Sequence, residues 1–408
     1  MSAHSSATES DLDPAGPAHV ATASFLASRA APTGGFWVAL AGGTALARVA
    51  QRRGVREGYG ASIAATLETV AIMGPARFGV PFTQAVSAPM LGAMEARGFR
   101  PLAQILACAV LRVLTNAAGA AFFIWVIAGG LDAYAGSYDA VAERFGFTLG
   151  ERGTLALTGA GLLAWGAFAS TVQVGVYRRG LAAWPASQPS PATEPRVPAG
   201  QSRGRFDPRA VALAAAVAFA LLLSGTSWPL LGACAAWLAL AWAVSRPDHS
   251  PVPTGLALAA LLGGGALMFT WGGGLGLDEA LRRASRAVLL VAVATWLRAA
   301  AGAPGLREVS RRALGRMSRL PGVPEAARTL DVIGSEGRLA ASGRALLKEL
   351  RAVPRRPLPV LDAVLGWVAE RSARFAPSAP GASPALRARA VDAALVVAAV
   401  APAVVLVV

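Results

Sequence analysis

The sequence predicts an all-α fold, a polytopic bundle of transmembrane helices, on three observations. Hydrophobic residues make up 54% of the 408 positions and charged residues 15%, whereas soluble domains carry about 25% charged residues. The mean hydropathy is +0.50. The apolar residues also fall into long blocks, most of them near the ~20 residues that cross a bilayer. A soluble fold of this length would need far more polar surface to cover its core, so a soluble enzyme is excluded at the outset.

Charge places the loops. The net charge is +15, and Lys348 is the sole lysine. Residues 305–389 hold 16 basic and 7 acidic side chains, a net of +9, and residues 178–209 hold 6 and 2, a net of +4. Residues 131–152 hold 2 basic and 4 acidic, a net of −2. Arginine and lysine gather on cytoplasmic loops. The two basic segments are therefore expected inside the cell and the acidic loop outside, with the chain multi-pass in the inner (plasma) membrane. No RNA- or DNA-binding motif accompanies the basic segments, so membrane lipid, and not nucleic acid, is the expected partner of their charge.

The elements follow in order. Residues 1–35 are rich in Ser, Thr, Ala and Pro and lack the basic and apolar regions of a signal peptide. They read as a disordered tail on the outer side. A first membrane domain spans 36–180. It opens with a short apolar block, 36–50, stopped by Arg52, Arg53 and Arg56. From 59 to 98, Glu68, Pro75, Arg77, Pro81 and Pro89 interrupt the pattern. That stretch is either a re-entrant pair of half-helices or two short spans shielded by protein. Residues 101–130 and 153–177 are spans.

Residues 181–205, rich in Pro, Ser and Gly, read as a cytoplasmic linker and the domain boundary. A second membrane domain, 206–408, holds spans at 210–224, 228–244, 252–276, 287–301 and 390–408, with 277–286 as a separating segment. Within it, 305–389 turns amphipathic. Leu306, Val309, Ala313, Met317 and Leu320 recur at spacings of three and four, with Arg307, Arg311, Arg312, Arg316 and Arg319 on the other faces. A longer helix is expected at 325–351. A third carries Leu358, Leu361, Leu365 and Val368. Such helices lie along an inner membrane surface or dock a soluble partner.

Catalytic motifs are missing. A phosphate-binding P-loop needs Gly-Lys-Ser/Thr, and the one lysine follows Leu347. Gly159-Ala160-Gly161-Leu162-Leu163-Ala164 fits a loose dinucleotide pattern but lies inside an apolar span, where small residues serve helix packing. Cys108 and Cys234 sit in apolar blocks, and His4, His19 and His249 lie away from any acidic or cysteine cluster. The chain is thus expected to be no enzyme, with no catalytic residue, no cofactor and no metal. Its chemical candidates are the intramembrane polar residues Glu68, Arg77, Arg112 and Asn116, with Gln104 nearby. They form either a substrate or proton site or a buried ion pair that fixes helix register. Asn116 and Gln173 suit interhelical hydrogen bonds, and Trp228, Trp271 and Trp296 suit interfacial anchoring.

The second half resembles a known family. Phe206-Asp207-Pro208-Arg209 opens its first span, the hairpin from Ser224 to Pro229 follows, and Gly276-Leu277-Asp278-Glu279-Ala280-Leu281 leads to Arg286. The basic amphipathic region then carries Leu-Pro-Gly-Val-Pro from Leu320 to Pro324, and a last helix closes the chain. This order is similar to the transmembrane (T) component of energy-coupling factor (ECF) importers, over about half the protein. The resemblance implies coupling-type cytoplasmic helices and a non-enzymatic scaffold. Separate ATP-binding subunits, and a substrate-binding membrane subunit, would be its partners in uptake of a small micronutrient such as a vitamin or metal ion. In that family Ala-Arg-Gly motifs contact the ATPases. Here only Glu336-Gly337-Arg338 and Ser342-Gly343-Arg344 stand at the corresponding place, while a full Glu95-Ala96-Arg97-Gly98 sits in the first half. Arg338, Arg344 and Arg97 are accordingly the expected ATPase contacts. The alternative is a membrane-embedded enzyme or lipid-handling protein using Glu68, Arg77 and Arg112.

The charge pattern yields a direct test of topology. In a background lacking Cys108 and Cys234, a cysteine at Ser190 is expected to resist an impermeant thiol reagent in sealed cells, and one at Ser137 to react. Labelling at position 190 refutes the assignment.

Overall fold

The structure, a computed structural model, describes residues 13–30, 35–75, 80–184, 205–245, 247–354, 356–376 and 389–406. Among the described residues there are fifteen α-helices and no strand, an all-α bundle. Five helical segments are long and apolar enough to cross a membrane: Pro101–Ala128, Gly150–Ala182, Trp228–Ser245, Val252–Gly272 and Gly276–Arg316. The protein is a multi-pass membrane protein.

The first four helices are α1 (Ala15–Ala30), α2 (Gly35–Arg53), α3 (Val55–Met73) and α4 (Val80–Ala96). The spans α5 (Pro101–Phe122), extended by a π-helical turn at Phe123–Ala128, and α7 (Gly150–Ala182) follow, with α6 (Leu131–Ala142) between them. The second half comprises α8 (Pro208–Ser224), α9 (Trp228–Ser245), α10 (Val252–Gly272) and the 41-residue α11 (Gly276–Arg316). It ends with α12 (Val323–Val332), α13 (Glu336–Arg351), α14 (Pro357–Ala373) and α15 (Ala390–Val400).

Pair contacts fix the level of each helix. In α2, the Phe36 ring lies 6.4 Å from the Trp165 ring, Gly43 sits under the Tyr177 hydroxyl, and Thr44 meets Gly180. Thus α2 runs parallel to α7 and begins part-way along it. In α3, Gly60 abuts Glu325 and Ala326, while Gly74 abuts Arg298 and Ala294. In α4, Ser87 meets Gln173 and Glu95 meets Arg178. So α1–α2 and α3–α4 are two hairpins that leave the end where α12–α14 lie and turn back inside the bundle. For 59–98 such a hairpin suits both expected readings, a re-entrant pair of half-helices and two short spans shielded by protein. Gly74, at φ 84°, ends α3 in a conformation that glycine adopts without strain. Small residues let the hairpins pack: every residue of α2 from Val38 to Ala50 is buried. A Cβ on Gly92 would stand 1.9 Å from the Ala47 carbonyl oxygen.

Several expectations change. The tail expected to be disordered at 1–35 contains α1, in which Ala18, Ala21 and Phe25 are fully buried. Its Ser and Thr read as coil formers, yet Thr22 and Ser28 return their hydroxyls to the carbonyls of Ala18 and Phe25 within the helix. Nor does α1 lie across the membrane from the basic region: Gly16 packs on Ser372 and Phe375, and Gly343 on Ala23. Residues 277–286 form the first turns of α11, not a separate segment. The span and the amphipathic helix after it remain distinct, as expected: Gly302 (φ 67°, ψ 162°) leaves the helical conformation between them, and Pro304 stands in the first turn of the second helix, where its missing backbone donor costs little. The helix expected at 325–351 breaks around Gly334 into α12 and α13. Trp296 is no interfacial anchor: it is fully buried, edge-on to Trp237 and donating to Ser245 Oγ at 3.2 Å. Trp228 and Trp271 remain exposed. Residues 185–204, most of the expected linker, lie outside the described residues.

Two cores result. One gathers α1–α4 and α7 with α12–α14; the other gathers α8, α9, α11 and α15. The basic helices of the second half therefore complete the core of the first.

Gly92→Val is expected to lower thermostability in detergent by about 1–3 kcal/mol through overpacking against Ala47. Gly159→Val, with nothing within 4 Å of its Cβ position, should be near neutral. Equal melting shifts for the two would contradict this packing.

Candidate functional site

Two polar clusters stand inside the bundle. The first lies where α1, α3, α11 and α13 meet. Glu68, 1% exposed in its side chain, is gripped by Arg307 across 239 residues of sequence. Arg307 Nε donates to Glu68 Oε2 at 2.6 Å, its terminal nitrogen donates to Oε1, and the same nitrogen reaches the Gly334 carbonyl at 2.9 Å. Next to it, Arg298 donates to the Ile72 carbonyl at 2.6 Å and to Glu336 Oε1 at 2.7 Å. Both arginines thus pair with a carboxylate and also satisfy a carbonyl left over at a helix end, where cations are favoured.

His19 completes this cluster. Its Nε2 is 3.1 Å from Ser342 Oγ, and its ring lies 4.7 Å from that of Phe375. Burial, reinforced by Arg338, Arg307 and Arg371, pushes its pKa down to about 3. His19 is therefore neutral at physiological pH and acts as a packing and hydrogen-bonding group.

The second cluster is a seam between α4, α5 and α7. Gln104, Cys108, Arg112 and Asn116 recur every four residues on one face of α5, opposite the exposed Leu102, Leu106, Val110 and Leu114. Arg112 donates to Gln173 Oε1 at 2.5 Å, and Cys108 Sγ lies 3.2 Å from the same oxygen. Gln173 Nε2 donates to Ser87 Oγ at 2.7 Å. Towards the basic end of the seam, Gln104 donates to Glu95 Oε2 at 2.6 Å, and Arg178 stands 3.6 Å from Oε1.

The predicted residues are thus distributed between clusters. Glu68 does not pair with Arg112, and Arg77 lies outside the described residues. Arg112 is buried with amide and thiol neighbours, and Asn116 is half-buried one turn beyond it. Arg97 and Arg344 are exposed, whereas Arg338 donates to the Ala376 carbonyl at 2.9 Å and lies 4.6 Å above the Phe375 ring. Sequence reasoning missed Arg307 because it sits among five arginines on an amphipathic face, and His19 because it stands in a segment read as tail. Among the described residues no group of three His, Cys, Asp or Glu side chains could hold a metal.

The Asp207-Pro208-Arg209 motif has a clear structural task. Asp207 caps α8 by accepting from the Arg209 backbone at 2.8 Å and from its guanidinium at 2.8 and 3.1 Å. The Arg209 bonds hold its carboxyl below the usual carboxylate range. Its own N–H donates to Asp392 Oδ1 at 2.8 Å, tying α8 to the start of α15.

In comparison with known proteins, the chain matches no family model, no curated protein and no solved structure.

The ion pair makes an asymmetric prediction. Arg307→Gln strands a carboxylate with 1% exposure and is expected to cost about 3–5 kcal/mol. Glu68→Gln should cost less, because Arg307 is 26% exposed and keeps the Gly334 carbonyl. The double variant should recover part of the larger loss in detergent melting curves. Rescue of Glu68→Gln by a change at Arg112 in place of Arg307 would contradict this pairing.

Proposed function

We propose that the protein is a non-enzymatic membrane scaffold of the energy-coupling type, seated in the inner membrane and moved by separate ATP-binding subunits. The observation that carries this reading is mechanical. The basic helices α12–α14 follow the kinked α11, which is fastened on one side to α3 by Arg307–Glu68 and by Arg298 on the Ile72 carbonyl. On the other side it is fastened to α13 by Arg298–Glu336 and to the α12–α13 junction by Arg307 on the Gly334 carbonyl. A push on α12–α14 at the basic end thus has two routes into the bundle, one through each core. The substrate would be a small nutrient, handled with a substrate-binding membrane subunit.

The exposed arginines supply the grip. Arg344 on α13 and Arg97 after α4 present open guanidinium groups, whose planar fork suits carboxylates and helix ends of a partner. Arg338 supports the helix from inside. The competing reading, a membrane-embedded enzyme or lipid-handling protein using Glu68, Arg77 and Arg112, is less favoured, because Glu68 and Arg112 occupy different clusters and Glu68 is held on both oxygens by Arg307.

The test is affinity purification in mild detergent. Two P-loop ATPases are expected to accompany the wild type. Arg97→Lys combined with Arg344→Lys should release them while leaving insertion and thermostability unchanged, since lysine serves diffuse lipid contacts but not bidentate ones. Purification of the wild type without any ATPase overturns the reading.

A further inference from the structure

Arg112 carries a charge that the protein around it does not balance. It is 5% exposed, and among the described residues no carboxylate lies within ion-pair distance. Its terminal nitrogen finds only the neutral Gln173 oxygen, which the Cys108 thiol also uses, and its Nε has no hydrogen-bond partner there. Glu95, the carboxylate on this seam, is spent on Gln104 and Arg178, two turns away along α5. A lone cation in so apolar a bundle is costly and is ordinarily paired.

A second residue points the same way. Gln84 is completely buried, and neither its amide nitrogen nor its amide oxygen has a partner among the described residues. At 100° per residue it falls between Ser87 and Glu95 around α4, the face that makes both contacts to α5 and α7. It lies one turn from Ser87, near the tip of the α3–α4 hairpin. Buried polar groups without partners are rare, and each loses its hydration for nothing. Among the described residues, the unpartnered groups here are the Arg112 Nε–H, both ends of the Gln84 amide and the Tyr177 hydroxyl, around a buried positive charge whose acceptor, Gln173 Oε1, is shared with Cys108.

We propose that this seam is a binding site for a small monovalent carboxylate, held by Arg112 and oriented by Gln84. The guanidinium offers the planar donors that match a carboxylate, and the Gln84 amide adds a donor from the hairpin side. Occupancy would tie α4 to α5 and thereby set the stance of the hairpin. The proposal stands whether or not ATPases bind the basic helices.

The experiment is thermal unfolding and calorimetric titration of the full chain in detergent, with sodium acetate against sodium chloride at equal ionic strength. Acetate is expected to raise the melting temperature of the wild type saturably, and chloride to do so only weakly. Arg112→Gln should abolish the saturable response, and Gln84→Leu should weaken the acetate midpoint by about tenfold, the loss of one charge-assisted hydrogen bond. Gln84→Leu also removes an unpartnered amide, so it should fold even where Arg112→Gln does not. An acetate response that fails to saturate, that survives Gln84→Leu unchanged, or that chloride reproduces in full overturns the assignment.

Discussion

A carboxylate buried in an apolar bundle has to find a cation, and much of this architecture follows from how Glu68 finds one. Its partner Arg307 lies beyond the kink at Gly302, so the segment after the kink must lie against α3. Once there, Arg307 also takes the carbonyl of Gly334, which fixes where α12 stops and α13 starts. Arg298, before the kink, takes the carbonyl of Ile72 at the end of α3. One helix thus sets the depth of the hairpin, the break between two amphipathic helices and the meeting of the two halves.

The opposite end of α11 is fastened by the same chemistry. Arg283 and Arg286 donate to the carbonyls of Ala128 and Val126 in the π-helical turn that ends α5. A wide turn leaves carbonyls without intrahelical donors, and arginines reach them on long apolar stems. Gly129, at φ 88°, lies under the Arg283 guanidinium, where any Cβ would collide with it. Arginine here works less as surface charge than as a polar cap for helix ends inside the bundle. The excess of arginine over acid residues is partly spent this way.

Between these two fastenings lies the α4–α5–α7 seam, built differently. Its polar groups are mostly amides, hydroxyls and a thiol, which hydrogen-bond without needing a counter-charge, and Arg112 stands among them. The packing around it relies on small residues, with Gly166 against Val113 and Gly92 against Ala47. Close helices with few bulky side chains leave polar groups to decide how the hairpin sits, so this is where a bound molecule would have most leverage.

The sequence by itself determined the solvent of this protein, its helical class and most of its spans. Long apolar blocks have no stable alternative to helices in a bilayer. It also determined that Glu68 and Arg112 would be buried, because both sit in apolar runs. Which cation meets which anion was decided only in three dimensions. Arg307 looks like any of its neighbours on an amphipathic face, and nothing local says that its stretch folds onto α3. The burial of α1 was equally hidden, since alanine, serine and threonine suit both a coil and a tightly packed helix, and only packing against α2, α3, α13 and α14 stabilises the helix. Pairings of this kind depend on contacts hundreds of residues apart, whereas hydropathy is a property of each segment alone.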